Sequence, residues 1–353
     1  MDFQLSEDQR ALRSGVRELL AGRFDRDRMR AVLDRGEGVG RELWGQLGAA
    51  GFFALRLPED EGGVGLGLPE AVLLFEEAGR VLLPGPLVGT HLAAGAVKGA
   101  AEGRAAVAVA YDGGDGGDGR DGRGGGRYGD GRGDRDGGTV ADLADADALL
   151  VLGPGEDVRV LTGEPLRALV RAARPVRSLD PLTPLHRVAS PAGQGEPLPA
   201  DAVRLRGEAA VLTAAEQLGS AARTLETAVQ HAREREQFGA PIGSFQAVKH
   251  LCARMLTRVE TARVAVYAAA VTADAVEIAG AKLLADEAAV GNARDCLQVH
   301  GGMGFTWEAD VHLHLKRAWV RAARPPTAAE SEEILADDLG RTEPPGRAPG
   351  ARG

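Results

Sequence analysis

The chain has 353 residues, enough for two or three domains or one large composite fold. Its formal net charge of −9 and pI of about 5.4 disfavour a general role in binding nucleic acids or membrane surfaces. No apolar run approaches the roughly 20 residues that span a bilayer, and the N-terminus MDFQLSEDQR has no signal-peptide pattern, so we expect a cytoplasmic location. The two cysteines, Cys252 and Cys296, are expected to be free thiols.

Residues 1–100 are predicted to form a small helical domain. Ser6-Glu7-Asp8-Gln9 has the capping-box pattern that begins a helix, and the apolar residues that follow it share one helical face: Leu12, Val16, Leu19 and Leu20. Further helices are predicted from Arg41 to Ala50 and from Pro69 to Val81, the latter with proline in its first turn. The glycine-rich segment LPEDEGGVGLG between them is predicted to be a loop.

Residues 101–205 are predicted to form a small, abbreviated β domain. Three short apolar runs bounded by Gly, Pro and Asp indicate strands: Ala106–Ala110, Ala148–Leu152 and Val158–Leu161. Between the first two runs lies the segment Asp112–Gly138, in which every residue except Tyr128 is Gly, Asp or Arg. Such a composition buries too little apolar surface to offset the entropy of ordering, so residues 112–138 are predicted to be a flexible insertion. Its aspartates balance its arginines, which argues against nucleic-acid binding.

Residues 206–340 are predicted to form a helical bundle. Three stripes of apolar residues at helical spacing indicate helices of roughly 20–30 residues with small side chains for close approach. The first stripe includes Val211 and Val229, the second Val248 and Val266, and the third Ile278 and Leu297. After Gly340 the sequence RTEPPGRAPGARG predicts a disordered tail, residues 341–353.

The segment REREQFGAPIGSFQAVKH, Arg233 to His250, interrupts the helical pattern. In it, Gly239 is expected to end a helix in a left-handed cap, and Ser244 to cap the next helix. A plain helical hairpin explains these residues without a ligand. Alternatively, arginines and aromatic residues crowded at one turn are typical of a nucleotide site, because a planar guanidinium suits a pyrophosphate.

A second unusual segment is QVHGGMGFTWEAD, Gln298 to Asp310. Its glycines permit close approach of the backbone to an anion or an adenosine, although a helix end and turn explain them equally well. His312 and His314 point roughly 200° apart on a helix, so they cannot chelate one metal ion, and we expect no metal site.

Three motifs together closely resemble the acyl-CoA dehydrogenase family of flavoproteins. They are RxQFGxPIGxFQxVKH, QVHGGMGFTWE about 50 residues later, and LGAAGFFALRLPEDEGGVGLGLPE, and the resemblance covers residues 1–320. It implies a mainly α fold with a small central β domain: an N-terminal helical domain, a middle β domain and a C-terminal four-helix bundle. FAD is implied as the cofactor, bound between subunits. The residues matching those that contact FAD in the family are Arg235, Gln237, Phe238, Gln246, Gln298, Gly301 and Gly302.

The family reaction is α,β-dehydrogenation of an acyl thioester, in which a carboxylate removes the α-proton while the β-hydrogen leaves as hydride to the flavin. The usual Glu base is missing, because its ungapped position is Pro325. A second family position falls on Ala209, and a slip of one residue reaches Glu208. The catalytic residue is therefore left unassigned. The remaining acidic residues near these motifs are one expected to pair within the bundle, Glu308, and three that lie out of register: Glu330, Glu332 and Glu333.

Three functions stay open from the sequence. The first is an FAD-dependent dehydrogenase of an acyl-CoA or acyl-carrier-protein thioester, passing electrons to electron-transfer flavoprotein or a similar acceptor. The second is a non-catalytic subunit that completes a partner's FAD site in a heteromeric dehydrogenase, favoured by the missing base and the abbreviated middle domain. Both imply a homo- or hetero-oligomer, a dimer or tetramer. The third, a scaffold organised around the insertion, is disfavoured by the intact nucleotide-side residues.

Overall fold

The computed structural model describes residues 4–36, 40–111, 137–153 and 155–342. They group into two units, each assembled from separate stretches of the chain. One unit combines the N-terminal segment through Met29, Gly67–Leu83 and the chain from Ala210 onward. The other combines Arg30–Leu66 with Pro84–Ala209. The three consecutive domains expected from the sequence stay a prediction.

The first unit is helical. Its helices are α1 (Glu7–Arg23), α4 (Leu68–Arg80), most of α7 (Ala202–Glu234), α8 (Gln246–Thr272), α9 (Ala275–His300), α10 (Val311–Ala322) and α11 (Ala328–Thr342). The predicted capping box begins α1, with Ser6 Oγ accepting from the Gln9 backbone and Gln9 Oε1 accepting from the Ser6 backbone. Each predicted apolar stripe lies on one helix of this unit, and α8 packs extensively along α9.

Two glycines allow α4 and α7 to touch backbone to backbone. A Cβ added at Gly79 would lie 2.0 Å from the Glu216 carbonyl oxygen, and one added at Gly219 would lie 1.9 Å from the Glu76 carbonyl oxygen. Real side chains essentially never come this close, so both positions require glycine. Glycine thus sets the close approach of α4 to α7.

The centre of this unit buries charged side chains in pairs. Arg321 of α10 donates to Glu216 of α7 at 2.6 Å, and both side chains are almost fully buried. On α9, the fully buried Lys282 donates to Asp286, whose second oxygen accepts from Gln217 at 2.8 Å. Because a buried charge is tolerated only when paired, these contacts fix α7, α9 and α10 in one arrangement.

The second unit contains the strands β1 (Val107–Tyr111), β2 (Gly137–Ala141), β3 (Ala148–Leu152), β4 (Val158–Leu161), β5 (Arg174–Val176), β6 (Leu185–Ala189) and β7 (Glu196–Pro197). Its sheet of order β1-β3-β4-β7 has a parallel β1–β3 pair and otherwise antiparallel neighbours, and a second antiparallel sheet has the order β2-β6-β5. Successive residues of β3 feed apolar clusters on opposite faces, so the whole run ALLVL is buried. The helices of this unit are α2 (Arg26–Arg35, from Arg30 onward), α3 (Arg41–Ala49), α5 (Leu87–Leu92) and α6 (Gly163–Ala172).

The mainly helical fold with a small β region is confirmed, and the predicted helices and strands lie within a residue or so of their expected bounds. The insertion predicted for 112–138 was too long, because Gly137 and Gly138 pair with β6 in strand β2. Its residues 112–136 lie outside the described residues. Helix α11 continues through Thr342, past the expected start of the tail, and residues 343–353 lie outside the described residues. None of the described helices is long and apolar enough to cross a membrane.

Candidate functional site

The Arg-flanked segment forms a tight β-hairpin at the end of α7. Strand β8 (Glu236–Gln237) pairs antiparallel with β9 (Ala240–Pro241) across a two-residue turn. Both turn residues, Phe238 and Gly239, have positive φ, +53° and +78°, the combination of a type I′ turn. The expectation that Gly239 caps a helix was wrong, because α7 already ends at Glu234 and Gly239 supplies the turn instead.

The hairpin leads directly into α8. A Cβ on Gly243 would lie 2.8 Å from the Ala232 carbonyl oxygen, so glycine lets this turn pack against the last turn of α7. The predicted N-cap role of Ser244 was wrong: Ser244 Oγ donates to the Pro241 carbonyl oxygen at 2.7 Å, and Phe245 occupies the N-cap position. The hydroxyl thus closes the turn rather than the helix.

The side chains of this hairpin point to solvent. Phe238 is 95% exposed and meets Phe245 edge to face, with ring centroids 6.1 Å apart. Arg235 and Gln237 are exposed, as is Gln246 at the start of α8. Among the described residues, the Arg235 guanidinium forms no ion pair. The ring and the guanidinium are therefore both accessible to a ligand.

The glycine-rich segment follows the end of α9, and each of its glycines has a different structural role. Gly301 has a φ of +61°, which turns the chain out of the helix, and a Cβ on Gly302 would meet nothing within 4 Å. Gly304 is buried, and a Cβ added there would lie 3.1 Å from the Leu297 carbonyl oxygen. Gln298 is exposed on the last turn of α9. The first two glycines therefore leave open backbone beside an exposed amide.

A pair of stacked histidines joins the two segments. His231, on the last turn of α7, stacks on His300, the last residue of α9, with ring centroids 4.1 Å apart and an interplanar angle of 19°. His300 Nδ1 donates to the Cys296 carbonyl oxygen at 2.8 Å, which orients its ring. Sequence reasoning missed His231, although it lies only four residues before Arg235.

No group of three His, Cys, Asp or Glu side chains suited to a metal ion occurs in the described ranges. His312 and His314 are both buried and separately engaged: His312 packs edge to face on Trp307, and His314 Nδ1 lies 2.8 Å from Ser220 Oγ. Burial and nearby arginines lower the pKa of His314 to about 3, so its ring is neutral at ordinary pH.

Comparisons of this chain with known proteins show which family it resembles. The model of the acyl-CoA dehydrogenase N-terminal domain matches residues 6–105, and that of the C-terminal domain matches residues 205–342. The chain is 35% identical to acyl-CoA dehydrogenase IpdE2 of Mycobacterium tuberculosis over 316 residues, covering 88% of this chain and 91% of IpdE2. The chain belongs to the acyl-CoA dehydrogenase family.

Two further matches differ in how much of the matched protein this chain covers. Acyl-CoA dehydrogenase FadE34 of M. tuberculosis is 40% identical over 79% of this chain, but the match spans only 39% of FadE34. Among solved structures, the ChsE4-ChsE5 complex from M. tuberculosis superposes with a TM-score of 0.79 at 26% identity, covering 98% of this chain and 100% of that one.

FAD is the cofactor of the acyl-CoA dehydrogenase family, as predicted, and the residues present at this end of the helical unit fit it. Arg235 offers a planar set of donors that no acidic side chain of the described part of the chain occupies. The backbone around Gly301 and Gly302 is open to close approach. Both groups are exposed, so a pyrophosphate and an adenosine have access to them from solvent.

The two positions at which the sequence resemblance predicts the base hold no carboxylate. Pro325 lies in the link between α10 and α11, and Ala209 is fully buried. Glu208 is buried, and its two oxygens each accept from Arg56 at 2.8 Å, with Arg204 adding a third contact at 3.1 Å. A base that abstracts a proton needs an available lone pair. Glu208 is therefore an ion-pair residue of the second unit.

The other acidic candidates are also accounted for. Thr327 and Glu330 form the capping box of α11, with Glu330 Oε2 accepting from the Thr327 backbone at 2.6 Å. Glu332 and Glu333 are exposed on the same helix. The expectation that Glu308 pairs within the bundle was wrong, because its side chain is exposed and the neighbouring ion pair joins Asp310 to Arg26.

Proposed function

We propose that this chain is a subunit of an FAD-dependent acyl-thioester dehydrogenase that supplies a flavin clamp and relies on another chain for the catalytic base. The observation that carries the proposal is a contrast within the chain. The clamp residues are exposed and available, whereas the two base positions hold Pro325 and buried Ala209.

The clamp is made of two groups of side chains. Arg235 would donate to the pyrophosphate, Gln237 and Phe238 would contact the flavin nucleotide, and Gln246 would assist from the start of α8. The adenosine portion would lie on the open backbone beside three residues at the end of α9: Gln298, Gly301 and Gly302. FAD, when bound, accepts the hydride from the β-carbon of the acyl group. Since these side chains point away from their own chain's core, we infer that they hold the FAD of a neighbouring subunit.

A partner chain with the base accounts for the missing carboxylate. Removing an α-proton needs a carboxylate with an available lone pair near the thioester, and both oxygens of Glu208 are bound by guanidinium groups. The ChsE4-ChsE5 structure, which this chain resembles over nearly its full length, is by its name a complex of two different proteins. That arrangement favours a hetero-oligomer here.

A second candidate is an active dehydrogenase made of this chain alone. The observation that favours it is the match to IpdE2, which is named an acyl-CoA dehydrogenase and is covered over 91% of its length. In this case the chain forms a homo-oligomer and uses a carboxylate outside the two family positions. Either candidate implies an acyl-CoA or acyl-carrier-protein thioester, electron-transfer flavoprotein or a similar acceptor, and a cytoplasmic location.

The clamp is tested by substituting one arginine at a time. Arg235→Ala removes the proposed pyrophosphate donor, and we expect FAD to bind about tenfold to hundredfold more weakly, the range for a lost hydrogen bond to a charged group. The matched control is Arg233→Ala, two residues earlier and equally exposed, which should retain FAD. Flavin content after gel filtration, measured with any co-purifying partner, gives the result. Equal flavin in both variants would eliminate the clamp.

A further inference from the structure

Within the described residues, the helix ends that carry the two clamp segments meet through two titratable side chains, the stacked His231 and His300. His231 fixes the last turn of α7, and its carbonyl oxygen accepts from the Arg235 backbone at 2.8 Å. His300 immediately precedes Gly301, where the chain turns with positive φ. Each ring is therefore carried by a helix end that leads directly to a residue proposed to contact FAD.

The geometry of the stack depends on its charge. Two nearly parallel rings 4.1 Å apart pack well when at least one is neutral, whereas two imidazolium ions at that distance repel. Burial, His300 and Arg235 lower the pKa of His231, in that order of importance. The C-terminal ends of helices attract positive charge, but this attraction acts on both rings and does not remove the repulsion between them.

Other charged groups around the pair come from each neighbouring element. They are Glu234 and Arg223 on α7, Arg235 just beyond it, Cys252 on α8, Cys296 on α9, Glu308 and Asp310 between α9 and α10, His314 on α10, Arg17 on α1, Asp25 and Arg26 at the start of α2, and Glu77 and Arg80 on α4. Most are already engaged: Asp310 pairs with Arg26, and Arg223 lies 3.9 Å from Glu226. His314 has its pKa lowered to about 3, and burial raises that of Cys296 to about 12. His231 and His300 are thus the partly buried imidazoles among these groups.

Protons can reach the pair from solvent. His300 lines a cavity of about 570 Å³ between the N-terminal helices and the ends of α7 and α9. His231 is partly exposed. Neither ring is sealed from water, so the protonation state of the pair follows the pH of the medium.

We propose that His231 and His300 are positioning residues that hold the two FAD-contacting segments in register while the pair carries at most one proton, and that acidification weakens FAD binding by separating the rings. This inference rests on the proposed FAD clamp. By linkage, a proton that disfavours the clamped arrangement must weaken FAD binding by the same factor by which FAD disfavours the proton.

The test measures FAD affinity against pH by the rise in flavin fluorescence on release, using the protein with any partner that co-purifies. For the unmodified protein we expect affinity about tenfold weaker at about pH 5.5 than at about pH 7.5, the window in which histidine titrates. His231→Phe keeps a stacked ring that cannot titrate, so its affinity should change less than about twofold over the same window. His300→Phe should behave in the same way. The control is His186→Gln, on strand β6 of the other unit, which should keep the unmodified profile.

The outcomes separate this inference from the clamp itself. If Arg235→Ala weakens FAD binding at neutral pH but His231→Phe and His300→Phe both retain the unmodified pH profile, the histidine proposal is wrong and the clamp stands. If Arg235→Ala leaves FAD binding unchanged, the clamp is wrong and the histidine proposal with it. Should one Phe variant fail to fold, the other decides, because each removes one titrating ring from the same stack.

Discussion

The polar side chains in the middle of helix α7 and those just beyond its end have opposite environments. Near its middle, Glu216 and Gln217 are buried and bound by Arg321 and Asp286. Beyond its last turn, Arg235 is exposed and forms no ion pair within the described residues. Helix α7 thus connects a region whose buried charged groups are paired within the chain to a region whose exposed guanidinium has no acidic partner among the described residues.

The two regions illustrate two roles of a charged side chain, one in packing helices and one in binding. A buried charge must be paired, and its partners then specify how helices pack. An exposed guanidinium adds little to folding, so we expect it to matter for binding instead. Substitutions in the middle of α7 and its partners should therefore affect stability, whereas substitutions at its end should affect FAD.

The largest effect is expected at the buried Lys282–Asp286 pair. Lys282→Met leaves the Asp286 carboxylate buried without its cation, which should lower the free energy of unfolding by about 3–5 kcal/mol. The control is the double variant Lys282→Met with Asp286→Asn, which removes both charges and should recover much of that loss. Urea unfolding measures both. An equally large loss in the double variant would mean that shape, not charge, matters here.

Overpacking α4 against α7 should cost less. Gly79→Ala places a Cβ 2.0 Å from the Glu216 carbonyl oxygen, so the helices must separate, at about 1–3 kcal/mol of unfolding free energy. Gly15→Ala, in α1 with nothing within 4 Å, should instead stabilise the protein by up to about 1 kcal/mol. Thermal unfolding distinguishes them. A neutral Gly79→Ala would show that these helices do not pack so closely.

Acid should destabilise the same unit through His314. Its pKa in the folded protein is about 3, below the ordinary value of 6.5, so its contribution to stability is complete above pH 6.5 and is lost as pH falls towards 3. The slope is about 1.4 kcal/mol per pH unit for one such group. His314→Asn should flatten the pH dependence of unfolding, whereas His250→Asn, exposed on α8, should not. Equal slopes in the two variants would mean that His314 does not contribute to the pH dependence of unfolding.

The smallest effect on stability is expected at the clamp turn. Phe238 holds a positive φ that side chains adopt at a cost, so Phe238→Gly should leave the free energy of unfolding unchanged or raise it by up to about 1 kcal/mol, while FAD binds more weakly. Gly239→Ala introduces the same kind of strain and should lower stability by about 1 kcal/mol. Titration with FAD and urea unfolding together give both quantities. Unchanged FAD affinity in Phe238→Gly would exclude the ring from the site.

Much of the fold was predictable because its signals are local. The stripe that ends at Leu20, the Ser6 capping box and the run Ala148–Leu152 each specify their element through neighbouring residues. Strands β2 and β6 were missed because Gly137–Ala141 lacks an apolar pattern and is held by pairing with Leu185–Ala189, which is distant in sequence. Pairing of this kind leaves no local signature.

At the site, residue types were predictable but conformations were not. Gly239 and Ser244 were assigned to helix caps because both types favour caps, yet two consecutive positive φ values placed a hairpin there. The contact between His231 and His300 joins residues 69 positions apart and depends on how α7 and α9 pack. Only the structure could supply it.

The claim that the base lies on another chain is tested most directly by the flavin spectrum of the lone chain. The protein is purified without a partner, supplied with FAD, and mixed anaerobically with acyl-CoA thioesters that differ in chain length and ring content. We expect the flavin absorbance to stay unbleached, and to bleach only when the partner chain is added. Bleaching of the flavin in the lone chain by any of these thioesters would contradict the claim and establish this chain as a complete dehydrogenase.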